Sequence, residues 1–121
     1  MNIVGTNGTF TSPNYPSNYT NNANCSWRIT VPDGFVVRLT FNVFKLEGGS
    51  NCRYDYVEIR DSTGSVMGKY CGSNGPFVVM STGSSLYIRF KSDGTVKKKG
   101  FSASFSAIIR PTNPPPGKTI L

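Results

Sequence analysis

Hydrophobic and polar residues alternate with a period of two along several stretches of the chain. The longest stretch runs from residue 35 to residue 44, and its predicted inward residues are Phe35, Val37, Leu39, Phe41 and Val43. The outward residues between them are Arg38, Thr40 and Asn42. Because successive side chains of a β-strand point to opposite faces, this pattern predicts a strand with one buried face.

The same alternation recurs in three later stretches. Their predicted inward residues are Val57 and Ile59, then Leu86, Ile88 and Phe90, and finally Phe101, Ala103, Phe105, Ala107 and Ile109. Turn-forming residues such as Pro32-Asp33-Gly34 and Asp93-Gly94 separate the stretches. Strands of this length, with frequent turns and no helical period, predict an all-β fold built as an antiparallel β-sandwich.

The alternation stops after residue 110. A chain of 121 residues fits one domain, which we place at residues 1–110. The proline-rich segment 111–121 is predicted to be a stiff linker to a further domain. Since the N-terminus has neither the positive start nor the long apolar stretch of a secretory signal, we expect the chain to be part of a longer protein.

The amino-acid composition makes some classes of function less expected than others. The chain has no histidine, which removes the commonest general base and the usual zinc ligand, so we do not expect an enzyme. Thirteen basic and six acidic residues give a net charge of +7, which attracts polyanions such as sulfated glycans, acidic lipids or nucleic acid. No apolar run approaches the roughly 20 residues that span a bilayer, so direct membrane insertion is not expected.

The chain has three cysteines, Cys25, Cys52 and Cys71, and one disulfide bond would therefore leave one thiol over. Three Asn-x-Ser/Thr tripeptides, at Asn7, Asn18 and Asn24, have the form that accepts N-linked glycans. Together these features favour an extracellular glycoprotein, and they argue against a nucleic-acid ligand.

Several segments, in order, carry a resemblance to a known family. They are Ser12-Pro13-Asn14-Tyr15-Pro16, Cys25-Ser26-Trp27, Cys52-Arg53-Tyr54-Asp55-Tyr56-Val57, Gly68-Lys69-Tyr70-Cys71-Gly72 and Phe90-Lys91-Ser92-Asp93. From about residue 5 to residue 109 the chain resembles the CUB family of secreted domains. The resemblance implies a jelly-roll-like sandwich with a Cys52–Cys71 disulfide bond. Cys25 is then unpaired, and its thiol is either buried beside Trp27, itself a core residue, or exposed and prone to dimerise. We expect it to be buried, since free cysteine usually packs as a small apolar group.

The resemblance also implies a calcium site. Glu47, Asp55 and Asp93 match the carboxylates of calcium-binding members, Tyr19 matches a tyrosine that orients the glutamate, and the Thr95 carbonyl is a further candidate ligand. The residue chemistry agrees, because calcium takes oxygen ligands from carboxylates and carbonyls. Strand parity puts Asp55 on the inward face of its strand, where an uncompensated carboxylate is costly.

Plainer roles for these acids stay open. Glu47 and Asp55 can be ordinary acids paired with Arg53 or Lys91, and Asp93 can simply begin a turn. An enzyme would need Glu47 and Asp55 as an acid–base pair, but nothing in the sequence supplies a substrate cleft.

These features predict an extracellular, calcium-dependent protein-binding module of a larger secreted or cell-surface protein. Calcium-binding relatives often grip a basic side chain of the partner, and we expect a partner lysine to contact Glu47, Asp55 and Asp93, with Tyr19 as an apolar wall.

Other ligands define the alternatives. The basic run Lys97-Lys98-Lys99 could bind a carbohydrate or glycosaminoglycan, although such a run is often only a solvated loop tip. A nucleic-acid binder would use the positive charge with exposed Tyr15, Tyr19 and Tyr54.

Overall fold

The computed structural model of the chain describes residues 1–94 and 98–110. Three predictions lie outside these residues: the linker at 111–121, Thr95 as a calcium ligand, and Lys97 in the basic run. In the described part of the chain, no helix is long and apolar enough to cross a membrane.

The described residues form strands and one short 3-10 turn, Ser50–Cys52. The strands are β1 Asn2–Val4, β2 Asn7–Thr11, β3 Asn24–Thr30, β4 Phe35–Lys45, β5 Tyr56–Asp61, β6 Val66–Tyr70, β7 Ser73–Asn74, β8 Phe77–Met80, β9 Ser85–Lys91 and β10 Gly100–Ile109. The first sheet has the order β1-β3-β9-β5-β6, and the second has the order β2-β10-β4-β7, with β8 also pairing with β4. Apart from the parallel pair β1–β3, the pairs are antiparallel, which confirms the predicted antiparallel β-sandwich.

Aromatic side chains from both sheets fill the space between them. Phe101 is the centre of this core, and its ring makes edge contacts with Phe10, Trp27, Phe41 and Phe90. Such tilted ring pairs stabilise a core beyond the area that they bury. Trp27 is 8% exposed, which confirms its predicted place in the core.

The predicted alternation fails at one point of β4. Val43 lies opposite Ser102 on β10, but the next partner pair is Phe41 with Ala103, so β4 has one extra residue there. A bulge of this kind shifts the phase of the strand by one residue. As a result Val43 is only half-buried, and Phe44 is the buried residue instead.

The end of β10 also differs from the prediction. Phe101, Ala103 and Phe105 are buried as expected, but Ala107 is half-buried and Ile109 is 74% exposed. Ile109 is the last residue of the strand and pairs with Phe35, the half-buried first residue of β4. The prediction for Ile109 is wrong because the paired strand ends extend past the core.

The predicted disulfide bond joins Cys52 to Cys71, with 5.4 Å between their Cα atoms. Cys25 is a free cysteine on the inward side of β3, packed against the core. Cys25 is half-buried, so the predicted burial is met only in part.

Candidate metal centre

Three acidic residues meet at one end of the sandwich. Glu47 follows the end of β4, Asp55 directly precedes β5, and Asp93 follows the end of β9. The start of β5 and the end of β9 lie side by side because these strands are antiparallel, with Tyr56 opposite Lys91. Each acid offers a carboxylate oxygen, and these atoms lie within 4.8 Å of one another.

Asp55 is the most rigidly held of the three acids. Its side chain is fully buried, as strand parity predicted. Its Oδ1 atom accepts a hydrogen bond of 2.8 Å from the backbone N–H of Asp93, and its Oδ2 atom accepts a hydrogen bond from the Tyr19 hydroxyl. Burial raises the pKa of Asp55 above its usual value, while the hydrogen bonds from Tyr19 and Asp93 act in the opposite direction.

Tyr19 connects two of the acids from inside the core. Its hydroxyl donates to Asp55 and accepts a hydrogen bond of 3.2 Å from the backbone N–H of Glu47. Burial, followed by the hydrogen bond to Asp55, raises the pKa of Tyr19. The prediction that Tyr19 is exposed is wrong: its ring is fully buried, with an edge contact to Phe90. Tyr19 therefore has no exposed surface that could contact a partner as the predicted apolar wall.

One carboxylate oxygen of Glu47 lacks a hydrogen-bond partner in the described part of the chain. Its Oε1 atom is buried and has no hydrogen-bond partner among the described residues. Burial and the nearby carboxylates of Asp93 and Asp55 raise the pKa of Glu47, and the positive charge of Lys98 offsets part of this effect. A buried oxygen without a partner is costly, and three converging carboxylates repel one another. A hard dication with oxygen ligands fits this donor set.

A loop that sequence reasoning missed supports Asp93. The Ser92 hydroxyl accepts a 2.8 Å hydrogen bond from the Ala23 N–H and donates a 2.7 Å hydrogen bond to the Thr20 carbonyl. The Asn22 N–H donates to the Asp93 carbonyl at 2.8 Å. Asn22 has a φ of 56°, in the left-handed region that asparagine tolerates better than most residues. The asparagine-rich stretch 21–24 was the available signal for a tight turn.

The structure also locates the competing candidates. Arg53 lies over the Tyr54 ring at 5.2 Å, and within residues 1–94 and 98–110 neither Arg53 nor Lys91 forms an ion pair with Glu47 or Asp55. Lys98 and Lys99 are exposed, and the Lys98 carbonyl accepts a hydrogen bond of 3.0 Å from the Tyr19 N–H. Lys98 therefore lies beside the acidic cluster, where its charge is partly compensated.

The three candidate glycosylation residues, Asn7, Asn18 and Asn24, are all exposed. Their side chains are accessible, and modification at these positions stays a prediction.

Comparison with known sequences agrees with this architecture. The family model of the CUB domain matches residues 1–105. The chain is 50% identical over 102 residues to embryonic protein UVS.2 of Xenopus laevis, covering 83% of the chain and 20% of that protein. It is 45% identical over 101 residues to human tolloid-like protein 1, covering 81% of the chain and 10% of that protein. The chain thus spans a tenth to a fifth of the length of these relatives.

Solved structures are similar over most of the chain. The CUB1-EGF-CUB2 domain of human MASP-1/3 matches with a TM-score of 0.82 and 37% identity, over 86% of this chain and 42% of that one. The MASP-1 CUB2 domain bound to Ca2+ matches with a TM-score of 0.79 and 32% identity, over 87% of this chain and 96% of that one.

Proposed function

We propose, from the premise that the chain belongs to the CUB domain family, that it binds a protein partner through a calcium site formed by Glu47, Asp55 and Asp93. As a CUB domain it is a non-catalytic, extracellular interaction module of the kind found in larger proteins. The calcium dependence and the nature of the contact are the new parts of the proposal.

The observation that carries the calcium proposal is the buried Oε1 atom of Glu47, which has no partner among the described residues although two further carboxylates converge beside it. Without a cation, burial and mutual repulsion disfavour the charged forms, as the raised pKa values of Glu47 and Asp55 indicate. The similarity to a CUB2 domain bound to Ca2+ supports the same choice of ion.

The residues of the site have different roles in this proposal. Glu47, Asp55 and Asp93 would hold the ion, with the Thr95 carbonyl as a further proposed ligand. Bound calcium supplies positive charge that balances the carboxylates and ties the ends of β4, β5 and β9 together. Tyr19 positions the site, because its hydroxyl fixes the Asp55 carboxylate against the Glu47 backbone.

Burial decides which acids are available to a partner. Asp55 and Tyr19 are fully buried, so they have no surface for a partner's ammonium group. Glu47 and Asp93 are partly exposed. We therefore assign the contact with a partner lysine to the carboxylates of Glu47 and Asp93, as charge-assisted hydrogen bonds.

Thermal unfolding tests the calcium site. An ion that binds only the folded state stabilises it by about 2.7 kcal/mol at a hundredfold excess over Kd, which corresponds to a rise in Tm of roughly 10 °C. We expect this rise for the wild-type domain and its loss in Asp93→Asn. The matched control is Asp33→Asn, the same chemical change at an exposed turn residue. An equal rise in both variants, or no rise in the wild type up to millimolar calcium, would contradict the site.

Partner capture tests the contact. Secreted and cell-surface proteins are passed over the immobilised domain in calcium and then in chelator. We expect a set of proteins that is retained only in calcium, is lost with Asp93→Ala, and is released when its lysines are acetylated. Retention of the same proteins by Asp93→Ala would rule out the proposed contact.

A further inference from the structure

Positive charge is concentrated on the outer, solvent-facing side of the first sheet. Its cations come from four neighbouring strands, and we call them together the basic face: Arg28, Arg60, Lys69, Arg89 and Lys91. Each alternates with core residues such as Ile29, Ile59 and Ile88, which lie on the opposite side of the same strands. Strand parity therefore directs all five side chains to the outside.

Strand register aligns these cations in rows. One row contains Ser26, Arg89, Glu58 and Lys69, and the next contains Arg28, Tyr87 and Arg60. A third row contains Asn24, Lys91 and Tyr56. Neighbouring strands lie about 4.8 Å apart, and alternate residues of one strand about 7 Å apart. The face is therefore a two-dimensional array of cations with spacings of a few ångströms.

Little negative charge balances this array. Glu58 is the acid on the face, and it pairs with Arg60 at 2.7 Å. Among residues 1–94 and 98–110, the other four cations of the basic face form no ion pair. Two of them lie over aromatic rings, Arg28 over Tyr87 at 5.3 Å and Lys69 over Tyr56 at 4.1 Å. The rings hold these cations in place without neutralising them.

The remaining acids of the chain are used elsewhere. Glu47, Asp55 and Asp93 form the cluster at the end of the sandwich. The Asp61 carboxylate accepts hydrogen bonds from Thr63 and Ser65 in the turn after β5, and these bonds lower its pKa. Asp33 lies in the turn between β3 and β4. The positive field of the basic face is consequently left for an external anion.

The basic face also contains a groove of about 780 Å3, lined by residues that include Ser26, Arg28, Thr63, Tyr87 and Arg89. Polar and cationic side chains make up most of its lining, which also includes the acid Glu58 and the apolar residues Met1 and Ile88. The large exposed hydrophobic residues near this face are Met1, which lines the groove, and Val66, at the edge strand β6. Stable protein contacts usually centre on a cluster of apolar anchors. Here Trp27 and Ile88 are buried in the core and Met1 is the exposed apolar residue of the groove, whereas its hydroxyl groups and spaced cations suit a hydrated polyanion.

We propose that the basic face binds a linear sulfated polysaccharide. The cations pair with its sulfate and carboxylate groups, and Ser26 and Thr63 offer hydrogen bonds to its hydroxyls. The residues of the basic face differ from those of the calcium cluster and from Lys98 and Lys99. The domain is extracellular, where a sulfated polysaccharide is available to it and nucleic acid is scarce. Binding is independent of calcium.

Salt-gradient elution from immobilised heparin, in chelator, tests the proposal. Removing cations from a polyelectrolyte contact lowers the slope of log K against log salt by about one unit for each cation removed. We expect Arg28→Gln/Lys69→Gln/Arg89→Gln to weaken heparin binding at least tenfold and to lower this slope. The single variant Arg89→Gln has Arg38→Gln as its matched control. Arg38 is an exposed arginine on the outer side of β4, in the other sheet, and we expect its variant to elute like the wild type.

Three further arms identify the ligand and the site. We expect Lys97→Gln/Lys98→Gln/Lys99→Gln to retain the binding, and chemically desulfated heparin and single-stranded DNA of equal charge to bind at least tenfold more weakly. A loss of binding in the lysine-run variant, an equal loss in Arg38→Gln, or equal affinity for DNA would overturn the proposal. Each variant is checked for an unchanged Tm and calcium response, so a folding defect is distinguishable from a lost contact.

Discussion

The acidic cluster and the basic face use charge in opposite ways. Asp55 is fully buried and its carboxylate is held by Tyr19 and by the Asp93 backbone, whereas Arg89 is exposed and donates to the Asn24 side chain at 3.3 Å. A buried charge needs a specific partner at a fixed distance. An exposed charge is already hydrated, and it acts through its sum with its neighbours.

This difference predicts different behaviour under mutation. Each member of the acidic cluster should be individually essential for binding its ion, and removal of the fully buried member, Asp55, should also destabilise the fold. Members of the basic face should be individually replaceable, with small effects on stability and effects on ligand binding that add up.

The largest contrast is expected between Asp55→Ala and Arg89→Ala. Removing Asp55 leaves the Tyr19 hydroxyl and the Asp93 N–H unpaired in a buried place, which should cost about 3 kcal/mol of unfolding free energy in calcium. Arg89→Ala should change it by less than about 0.5 kcal/mol. Urea unfolding of both variants measures the two values. Similar losses of unfolding free energy in the two variants would contradict the expected difference between buried and exposed charges.

A smaller contrast is expected between two tyrosines. Tyr19→Phe removes the hydroxyl that joins Asp55 to Glu47, and it should cost about 1 to 2 kcal/mol and lower calcium affinity about tenfold. Tyr87→Phe keeps the ring beneath Arg28 and should change neither quantity. Calorimetric titration with calcium, beside thermal unfolding, measures both. Unchanged calcium affinity in Tyr19→Phe would remove its positioning role.

The two regions should also respond differently to pH. In chelator, the folded domain has raised pKa values at Glu47 and Asp55, mainly because of burial, so it holds protons that the unfolded chain has released. Stability of the metal-free domain should therefore fall as pH rises above the ordinary carboxyl values, and calcium should restore it. Heparin retention, which rests mainly on arginines, should stay constant over the same range.

Glu47→Gln provides the check on this pH effect. It removes one of the two titrating groups, so the pH dependence in chelator should flatten while the calcium response disappears. An unchanged pH profile in this variant would mean that Glu47 does not contribute to it. Asp61 acts in the opposite sense at lower pH, because its pKa is lowered, and the comparison should begin above that range.

The smallest expected effect concerns Glu58, the acid of the basic face. Its ion pair with Arg60 is partly exposed and worth only about 0.2 to 1 kcal/mol. Glu58→Gln should leave Tm nearly unchanged and strengthen heparin binding about twofold to threefold, since one repulsive charge is removed. Elution at a lower salt concentration than the wild type would contradict the assignment of heparin to this face.

Much of the fold was predictable because strand alternation is a local property of the sequence. The inward residues of β5 and β9 were correct, and the acids Glu47, Asp55 and Asp93 were correctly grouped through the family resemblance. The error at Val43 arose because a bulge depends on the pairing of β4 with β10, which a single strand does not encode.

The burial of Tyr19 could not be predicted in the same way. Tyr19 belongs to no strand, and its ring is covered by Phe90 and its backbone is bonded to Lys98, both distant in the sequence. A residue in a connecting segment has no periodic pattern to reveal which side faces the core. Only the packing of the segment against the sandwich decides this.

The sequence by itself determined the class of fold, the disulfide pair through the family resemblance, and the sign of the chain's charge. The tertiary structure decided where that charge lies. Strand order brought cations from β3, β9, β5 and β6 onto one face, and the meeting of three strand ends enclosed the acids. The reason is that periodicity fixes the side of each strand to which a residue points, while the neighbours of that residue depend on contacts between strands far apart in the chain.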